Sequence, residues 1–480
     1  MQLNRTLGPA ITALSVSTRT FPTFAMMVGS DLLGLGAAAL ISVYVRFILD
    51  GQFQLPLYWQ LLPLMGLFTV AYAAVGLYPG VAISPVDELR WVTVSTSLVY
   101  FVLGSTIFLR REGEVYSRGI FLLAWLLSIG LVLAGRALTR YLFAQKRWWG
   151  YPVMVLGAGK TGEMVVRTLQ QRPRIGLKPV VVLDDNPDKH GSLHNVPVLG
   201  GVELAPVLAK ARKIPYAIVA MPGVSRDRLL QILEQYGQTF AHLLIIPDLF
   251  GFSSLWVEAK DMGGILGLEV RQQLLLPGPR LAKFLIDRLI TLMGGLIVLP
   301  FIILIALLIR IDSPGPILYG QIRIGQNGES FKAWKFRSMA KNADRTLESY
   351  LDAHPELRES WERDHKLRND PRITRVGRFL RQTSLDELPQ LWNILRGEMS
   401  LVGPRPIVDE EIQRYGEKFG LYTKVTPGLT GLWQVSGRNN LTYEERVSLD
   451  AYYVRNWSVW LDLYILIRTV WVVISGEGAY

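Results

Sequence analysis

Two adjacent acids, Asp386 and Glu387, follow directly on a run of cationic side chains. Between Lys366 and Arg381 stand Lys366, Arg368, Arg372, Arg375, Arg378 and Arg381, opposed by Asp370 alone. The acids lie within Ser384-Leu385-Asp386-Glu387-Leu388-Pro389-Gln390-Leu391-Trp392-Asn393, and Gly403-Pro404-Arg405-Pro406 comes soon after. Guanidinium groups fit phosphate oxygens in pairs, so this grouping suits a polyanion such as a nucleoside diphosphate. Paired carboxylates beside it can share a Mg²⁺ with substrate phosphates, because hard cations take oxygen ligands. A structural reading stands beside the chemical one. Ser384-x-x-Glu387 matches a capping box, and acids in a first helical turn are favoured by the helix dipole. Pro389 is harmless only in a first turn, so both acids are expected at a helix N-terminus. That environment lowers a carboxylate pKa and suits a nucleophile or metal ligand better than a general acid.

A second motif, Gly157-Ala158-Gly159-Lys160-Thr161-Gly162, sits between the apolar runs Val153–Leu156 and Val180–Leu183. The runs read as buried strands, and a G-x-G-x-x-G between strand and helix is the dinucleotide fingerprint of a Rossmann-like α/β unit. Asp184 stands where a ribose-binding acid would be. Gly157, Gly159, Gly162 and Asp184 are therefore candidate nucleotide-binding residues. The same glycines also serve a tight turn and close helix packing, and both readings stand.

The elements that position these groups belong to a chain of 480 residues, half of them apolar, with positive mean hydropathy. Phe21–Val45, Gln54–Tyr78, Trp91–Leu109 and Gly119–Gly135 are apolar stretches, interrupted only by Asp31 in the first. About 20 residues cross a bilayer core, so four transmembrane helices are expected over residues 1–145. Lys and Arg on the flanks favour a cytoplasmic N-terminus. A Rossmann-like domain follows over 146–275. Leu289–Ile309 is again charge-free and contains Pro300, but Arg280, Lys283 and Arg288 precede it and Arg310, Arg323, Lys332 and Lys335 follow. Basic residues at both ends put both ends in one compartment, and a proline permits a sharp break. A re-entrant membrane helix over 280–310, broken at Pro300, satisfies both facts; a proline-kinked span is the alternative. Residues 311–480 read as an α/β catalytic domain closed by an interfacial helix, Trp457–Ile474.

Composition excludes other chemistry. There is no Cys, so disulfides, thiolate nucleophiles and Cys-ligated zinc are ruled out, and the five His show no metal-ligand spacing. The net charge is +11. Most of the excess precedes Arg310 and travels with the apolar stretches, as expected beside anionic lipid. No basic stripe interleaved with aromatics appears, so no nucleic acid is expected as partner. The first apolar run lacks a small-residue cleavage site after it.

Several stretches resemble the polyprenol-phosphate phosphoglycosyl transferases of the monotopic superfamily. They are Lys335-Phe336-Arg337-Ser338-Met339, Asp370-Pro371-Arg372-Ile373-Thr374, Val376-Gly377-Arg378, Ser384–Asn393, Met399–Pro406 and Pro427–Asn439. The resemblance covers about residues 280–480, and the preceding spans and α/β unit are similar to the large members of that superfamily. The ending, from Asp450-x-Tyr452-Tyr453-Val454 onwards, is similar to members that use galactose. The apolar Leu299-Pro300 departs from members with Ser before that proline.

The resemblance implies transfer of a hexose 1-phosphate, galactose before glucose, from a UDP-sugar to undecaprenyl phosphate. It implies Asp386 as nucleophile, UMP as leaving group, and Glu387 as Mg²⁺ ligand or helper of the acceptor. It also implies phosphate contacts from Lys335, Arg337, Arg381 and Arg405, with Arg438 and Asp450 as further substrate-binding candidates. A homodimer in the bacterial inner membrane with a cytoplasmic catalytic domain follows from it, serving O-antigen, capsule or exopolysaccharide synthesis. Two readings compete. An inactive scaffold is opposed by the intact acids beside Arg381 and Arg405. An NAD-dependent oxidoreductase or epimerase rests on the glycine motif alone.

Overall fold

A computed structural model describes residues 20–50, 62–109, 117–236, 239–246, 257–261, 266–270, 273–340, 343–354, 358, 370–437 and 441–475. The chain divides into two units, Met1–Phe250 and Gly251–Tyr480.

In the first unit, helices α1 (Phe21–Asp50), α3 (Pro85–Leu109) and α4 (Arg118–Phe143) are each long and apolar enough to cross a membrane. Between them, α2 (Met65–Ala74) is a ten-residue apolar helix, too short to cross by itself. Residues 54–61 of the second expected span lie outside the described residues. The observed helices overrun the expected limits, because charges that end an apolar run do not end a helix when they are paired. Buried Arg136 donates from Nε and Nη2 to the carboxylate of Asp31 at 2.8 and 2.6 Å, and from Nη1 to Glu88 at 3.1 Å. Arg140 donates to both oxygens of the same Glu88 at 2.6 Å. Tyr78 donates its hydroxyl to Asp31 at 2.7 Å. Three helices and the 75–84 loop are thereby tied at one polar knot.

That loop also reaches the α/β part of the unit. Val81 packs with Val153, Leu177 and Tyr216, and the Ala82 N–H donates to the Ile175 carbonyl at 2.8 Å. The sheet contains β1 (Tyr151–Leu156), β2 (Leu177–Leu183), β3 (Gly191–Leu193), β4 (Val196–Val198), β5 (Tyr216–Val219) and β6 (His242–Ile245), in the order β3-β4-β2-β1-β5-β6. All neighbours are parallel except β3 with β4. Helices α5 (Lys160–Gln171), α6 (Ala205–Arg212) and α7 (Arg226–Tyr236) alternate with the strands. Val153–Leu156 and Val180–Leu183 are buried throughout, which is why they read as unbroken apolar runs rather than alternating ones. The Rossmann-like expectation is met.

The second unit begins with a hairpin of β7 (Val257–Asp261) and β8 (Leu266–Val270). Helix α8 (Pro277–Asp312) follows, 36 residues with Pro300 inside it. Pro300 therefore lies within the helix and does not end it: one lost hydrogen bond leaves the ladder intact on either side. Both ends of α8 are seated on the same unit. Near its start, Lys283 donates to Asp462 at 2.8 Å, and the Ser400 hydroxyl donates to Asp287 at 2.6 Å. Near its end, Ile305 and Ile309 pack with Phe336 and Leu380. The stretch between them leaves Leu296, Ile297 and Phe301 exposed.

Beyond α8 come the antiparallel hairpin β9 (Leu318–Ile324) and β10 (Ser330–Phe336), α9 (Ala343–Ala353), α10 (Arg375–Thr383) and α11 (Gln390–Arg396). A parallel pair, β11 (Ser400–Val402) and β12 (Gly428–Thr430), leads to α12 (Leu432–Ser436), α13 (Tyr443–Asn456) and α14 (Val459–Ser475). The C-terminal helix lies close to where it is expected, and Asp462 does not interrupt it. That carboxylate is held by Lys283, the Tyr453 hydroxyl at 2.8 Å and the Trp457 indole at 2.9 Å.

Candidate active site

The site grows from the β9–β10 hairpin. Its register pairs Phe331 with Arg323, Ala333 with Gln321 and Lys335 with Tyr319. Because side chains alternate along a strand, Lys335 and Arg323 share one face. Asn393 clamps α11 to this hairpin: its Oδ1 accepts from the Trp334 N–H at 3.1 Å, and its amide donates to the Lys332 carbonyl at 2.8 Å and to Glu398 at 2.6 Å. The turn between α10 and α11 is thus held against β10. Its first residue, Ser384, takes a left-handed φ of 57°, and Leu385–Glu387 forms a single 3₁₀ turn.

The capping box does not form. The Ser384 side chain accepts no cap hydrogen bond, and Glu387 turns instead to Lys335, whose Nζ lies 2.6 Å from Oε1. The same ammonium is 4.0 Å from Asp386 Oδ2. The two acids have opposite proton affinities, which corrects the expectation that both are lowered. Burial pushes the Asp386 carboxyl above the usual range, and the charge of Glu387 adds to this against Lys335 and Arg381. Burial acts on Glu387 as well, but Lys335, Arg405 and Arg323 outweigh it and hold that carboxyl below the usual range. Neighbouring acids driven apart in this way are a signature of divided chemical roles.

A small pocket opens beside Glu387, walled by Arg323, Lys335, Gln390, Arg405 and Gln434 among others. Of the expected phosphate contacts, Lys335 and Arg405 line it. Arg381 acts from the side: its charge reaches Asp386, while its Nε donates to the Ser338 hydroxyl at 2.9 Å. Arg337 does different work. Its guanidinium donates to the carbonyls of Ser313 and Pro314 at 2.6 and 3.1 Å and closes the turn after α8. Asp450 does not line the pocket; it is buried, with Oδ2 accepting from the Tyr415 hydroxyl at 2.7 Å and Oδ1 without a partner. Burial pushes its pKa up to about 8 against the pull of Tyr415 and Arg405. Arg438 lies outside the described residues.

Sequence reasoning missed Arg323, Gln390 and Gln434. Arg323 was within reach of it, since two-residue alternation across the hairpin puts it beside Lys335. The glutamines stand within stretches that carry the family resemblance, but they have no charge to single them out there.

Mg²⁺ takes one or two carboxylates and completes its shell with substrate phosphates and water. Asp386 and Glu387 supply such a donor set, and their remaining oxygens are not engaged by Lys335. Among the described residues there is no cluster of three or more His, Asp or Glu that would hold a metal by itself.

The glycine motif shows its structural side. Gly157 has φ of 110°, with the Ala220 carbonyl 2.8 Å from where a Cβ would stand, and a Cβ on Gly162 would collide with the Gly157 carbonyl. Gly159 has open space by comparison. Asp184 accepts from the Ala158 N–H at 2.7 Å, the Asn186 N–H at 2.9 Å and Lys189 at 3.2 Å. Those bonds outweigh its burial and hold its carboxyl below the usual range. The acid at the ribose position is thus tied to the loop itself.

Comparison with known proteins bears directly on this geometry. A family model described as bacterial sugar transferase matches residues 278–476, and one described as CoA-binding domain matches 73–247. The chain is 38% identical over 394 residues to the UDP-galactose-lipid carrier transferase of Erwinia amylovora, covering 80% of this chain and 81% of that protein. It is 36% identical to the undecaprenyl-phosphate galactose phosphotransferase of Salmonella typhimurium, covering 76% and 77%. It is 35% identical to the UDP-glucose:undecaprenyl-phosphate glucose-1-phosphate transferase of Escherichia coli, covering 75% and 76%. With the acids, the cationic pocket and the apolar helices in place, the chain belongs to the bacterial sugar transferase family and is a phosphoglycosyl transferase.

Proposed function

We propose that this enzyme transfers a hexose 1-phosphate, galactose first and glucose next, from a UDP-sugar to undecaprenyl phosphate and releases UMP, as a membrane step of polysaccharide synthesis. One observation carries the reading: two adjacent, half-buried acids beside Lys335, at a pocket walled by Arg323 and Arg405. The relatives' names supply the lipid carrier and the sugars.

In the proposed reaction an Asp386 oxygen attacks the β-phosphorus. A phosphorus–oxygen bond forms to Asp386, the bond to the bridging oxygen breaks, and UMP departs with that electron pair. A phosphate oxygen of undecaprenyl phosphate then attacks the same phosphorus and displaces the Asp386 carboxylate. Lys335, Arg405 and Arg323 line the pocket and would stabilise the negative charge that accumulates, since donors fixed in place cost little reorganisation. Arg381 favours the ionised nucleophile. Asp386 and Glu387 would hold Mg²⁺, which when bound neutralises diphosphate charge.

Basic flanks and the seating of both ends of α8 on one unit support a re-entrant helix, with the catalytic part on the cytoplasmic face of the inner membrane. A homodimer is proposed on resemblance alone. For the glycine motif, the ties of Asp184 favour a turn over a nucleotide site.

The test is trapping. Purified enzyme given labelled UDP-galactose or UDP-glucose and Mg²⁺ without lipid is expected to gain a sugar phosphate on the peptide containing Asp386. UMP release that always requires undecaprenyl phosphate, with no adduct by mass spectrometry, would favour direct transfer.

A further inference from the structure

We infer that Gln434 reads a hydroxyl of the transferred sugar, an assignment that rests on the function proposed above. The side-chain carbonyl Oε1 of Gln434 is buried and has no hydrogen-bond partner, yet the residue lines the pocket that holds Lys335, Glu387 and Arg405. A buried carbonyl left unpaired is unfavourable, and such groups are normally completed by a donor. Most of the other polar walls are cationic. Arg323, Lys335 and Arg405 only donate, Glu387 gives its Oε1 to Lys335, and Gln390 is the other amide in the wall. The pocket therefore offers anions their partners and leaves the Gln434 carbonyl as a buried neutral acceptor without a donor.

A UDP-sugar carries donors on the sugar, the ribose and the uracil. Glu387 adjoins Asp386, whose target is the phosphorus bearing the sugar. Along the covalent chain the sugar hydroxyls nearest the anomeric carbon are closer to that phosphorus than any ribose hydroxyl or the uracil N–H. The acceptor in the same pocket thus falls to the sugar.

Its mounting is rigid. Gln434 lies in α12 directly after β12, beside buried Trp433, which has the guanidinium groups of Arg446 and Arg405 at 4.8 and 5.8 Å from its ring centre. A pocket built to bond a hydroxyl discriminates against donors that lack it far better than an apolar pocket does.

The experiment compares wild type with Gln434→Met, which keeps the length without the amide, and Gln434→Ala. UMP release is measured with UDP-galactose and UDP-glucose, and inhibition with UDP, which has the nucleotide and no sugar. Loss of one hydrogen bond is expected to lower kcat/KM about tenfold in both variants while the UDP inhibition constant changes less than about twofold. An equal fall in UDP affinity would give the amide to the nucleotide and overturn the assignment. So would unchanged kinetics, or a loss that follows a drop in melting temperature in both variants. Failure of the proposed function itself is separately visible, as a wild-type enzyme that releases no UMP.

Discussion

Replacing Asp450 by Asn keeps the shape of a carboxylic acid and removes its titration. The wild-type side chain is 2% exposed, with a single hydrogen bond from Tyr415. Its pKa in the folded protein is pushed up to about 8 from an ordinary 3.8. Between those values the folded state keeps a proton that the unfolded chain releases, so stability is greatest below the ordinary value and falls as pH rises. Each pH unit in that window costs about 1.4 kcal/mol, which reaches about 4 kcal/mol at pH 7. The amide places one more N–H near the unpaired side of the group, a constant penalty of roughly 1 kcal/mol. Asp450→Asn is therefore expected to be the more stable protein at pH 7 by about 3 kcal/mol. The gap should grow by about 1.4 kcal/mol per unit from pH 5 and level off above pH 8. Thermal unfolding in detergent at pH 5 to 9 measures it, with an expected difference of several degrees near neutrality. A gap that does not change with pH would refute the reasoning, because the carboxyl would then be titrating alike in both states.

Asp386→Asn is expected to fold normally and to retain less than about a thousandth of the UMP release, since an amide cannot form the acyl-phosphate. Glu387→Gln should also lose most activity but recover part of it at raised Mg²⁺, and indifference to Mg²⁺ would remove Glu387 from the metal. Lys335→Met takes away the nearest cation from Glu387 and should cost about 1–2 kcal/mol at neutral pH. Because that cation lowers the carboxyl, the stability gap to wild type should close as pH falls and Glu387 takes up its proton, which a pH-melting series reads. The chain has no cysteine, so Val270→Cys and Gly320→Cys give clean reporters. They are expected to label identically in intact cells, and opposite labelling would restore a crossing at α8.

Much of the fold was legible where a residue's setting is local. β1 and β2 announce themselves because both faces are covered, and α8 because nothing charged occurs between Leu289 and Ile309. The limits of the spans were not legible. Asp31 and Arg136 look like interruptions until the chain brings them together from 105 residues apart. Asp462, a lone acid in the apolar last helix, is a similar case, its partner Lys283 lying 179 residues away. At the site, the types and adjacency of Asp386 and Glu387 were plain, but their opposite proton affinities were not. Burial raises Asp386, while the lowering of Glu387 depends on Lys335, 52 residues away in sequence and 2.6 Å away in space. Arg337 shows the converse, since a basic residue in a recognisable motif proves to brace a turn.

The polar knot of Asp31, Glu88, Arg136 and Arg140 has a consequence for how the protein is made. Ribosomal synthesis delivers α1 first, so Asp31 enters the membrane environment long before Arg136 has been translated. A lone charge within an inserted helix costs a few kcal/mol, relieved only when its counter-ion arrives. Insertion of α1 is therefore provisional until α4 is complete, and the helices mature as one cooperative package. Substitution at Arg136 should then reveal itself during biogenesis, as nascent chains whose first helix is misinserted and cleared by quality control. The damage would precede any loss of turnover in the chains that survive.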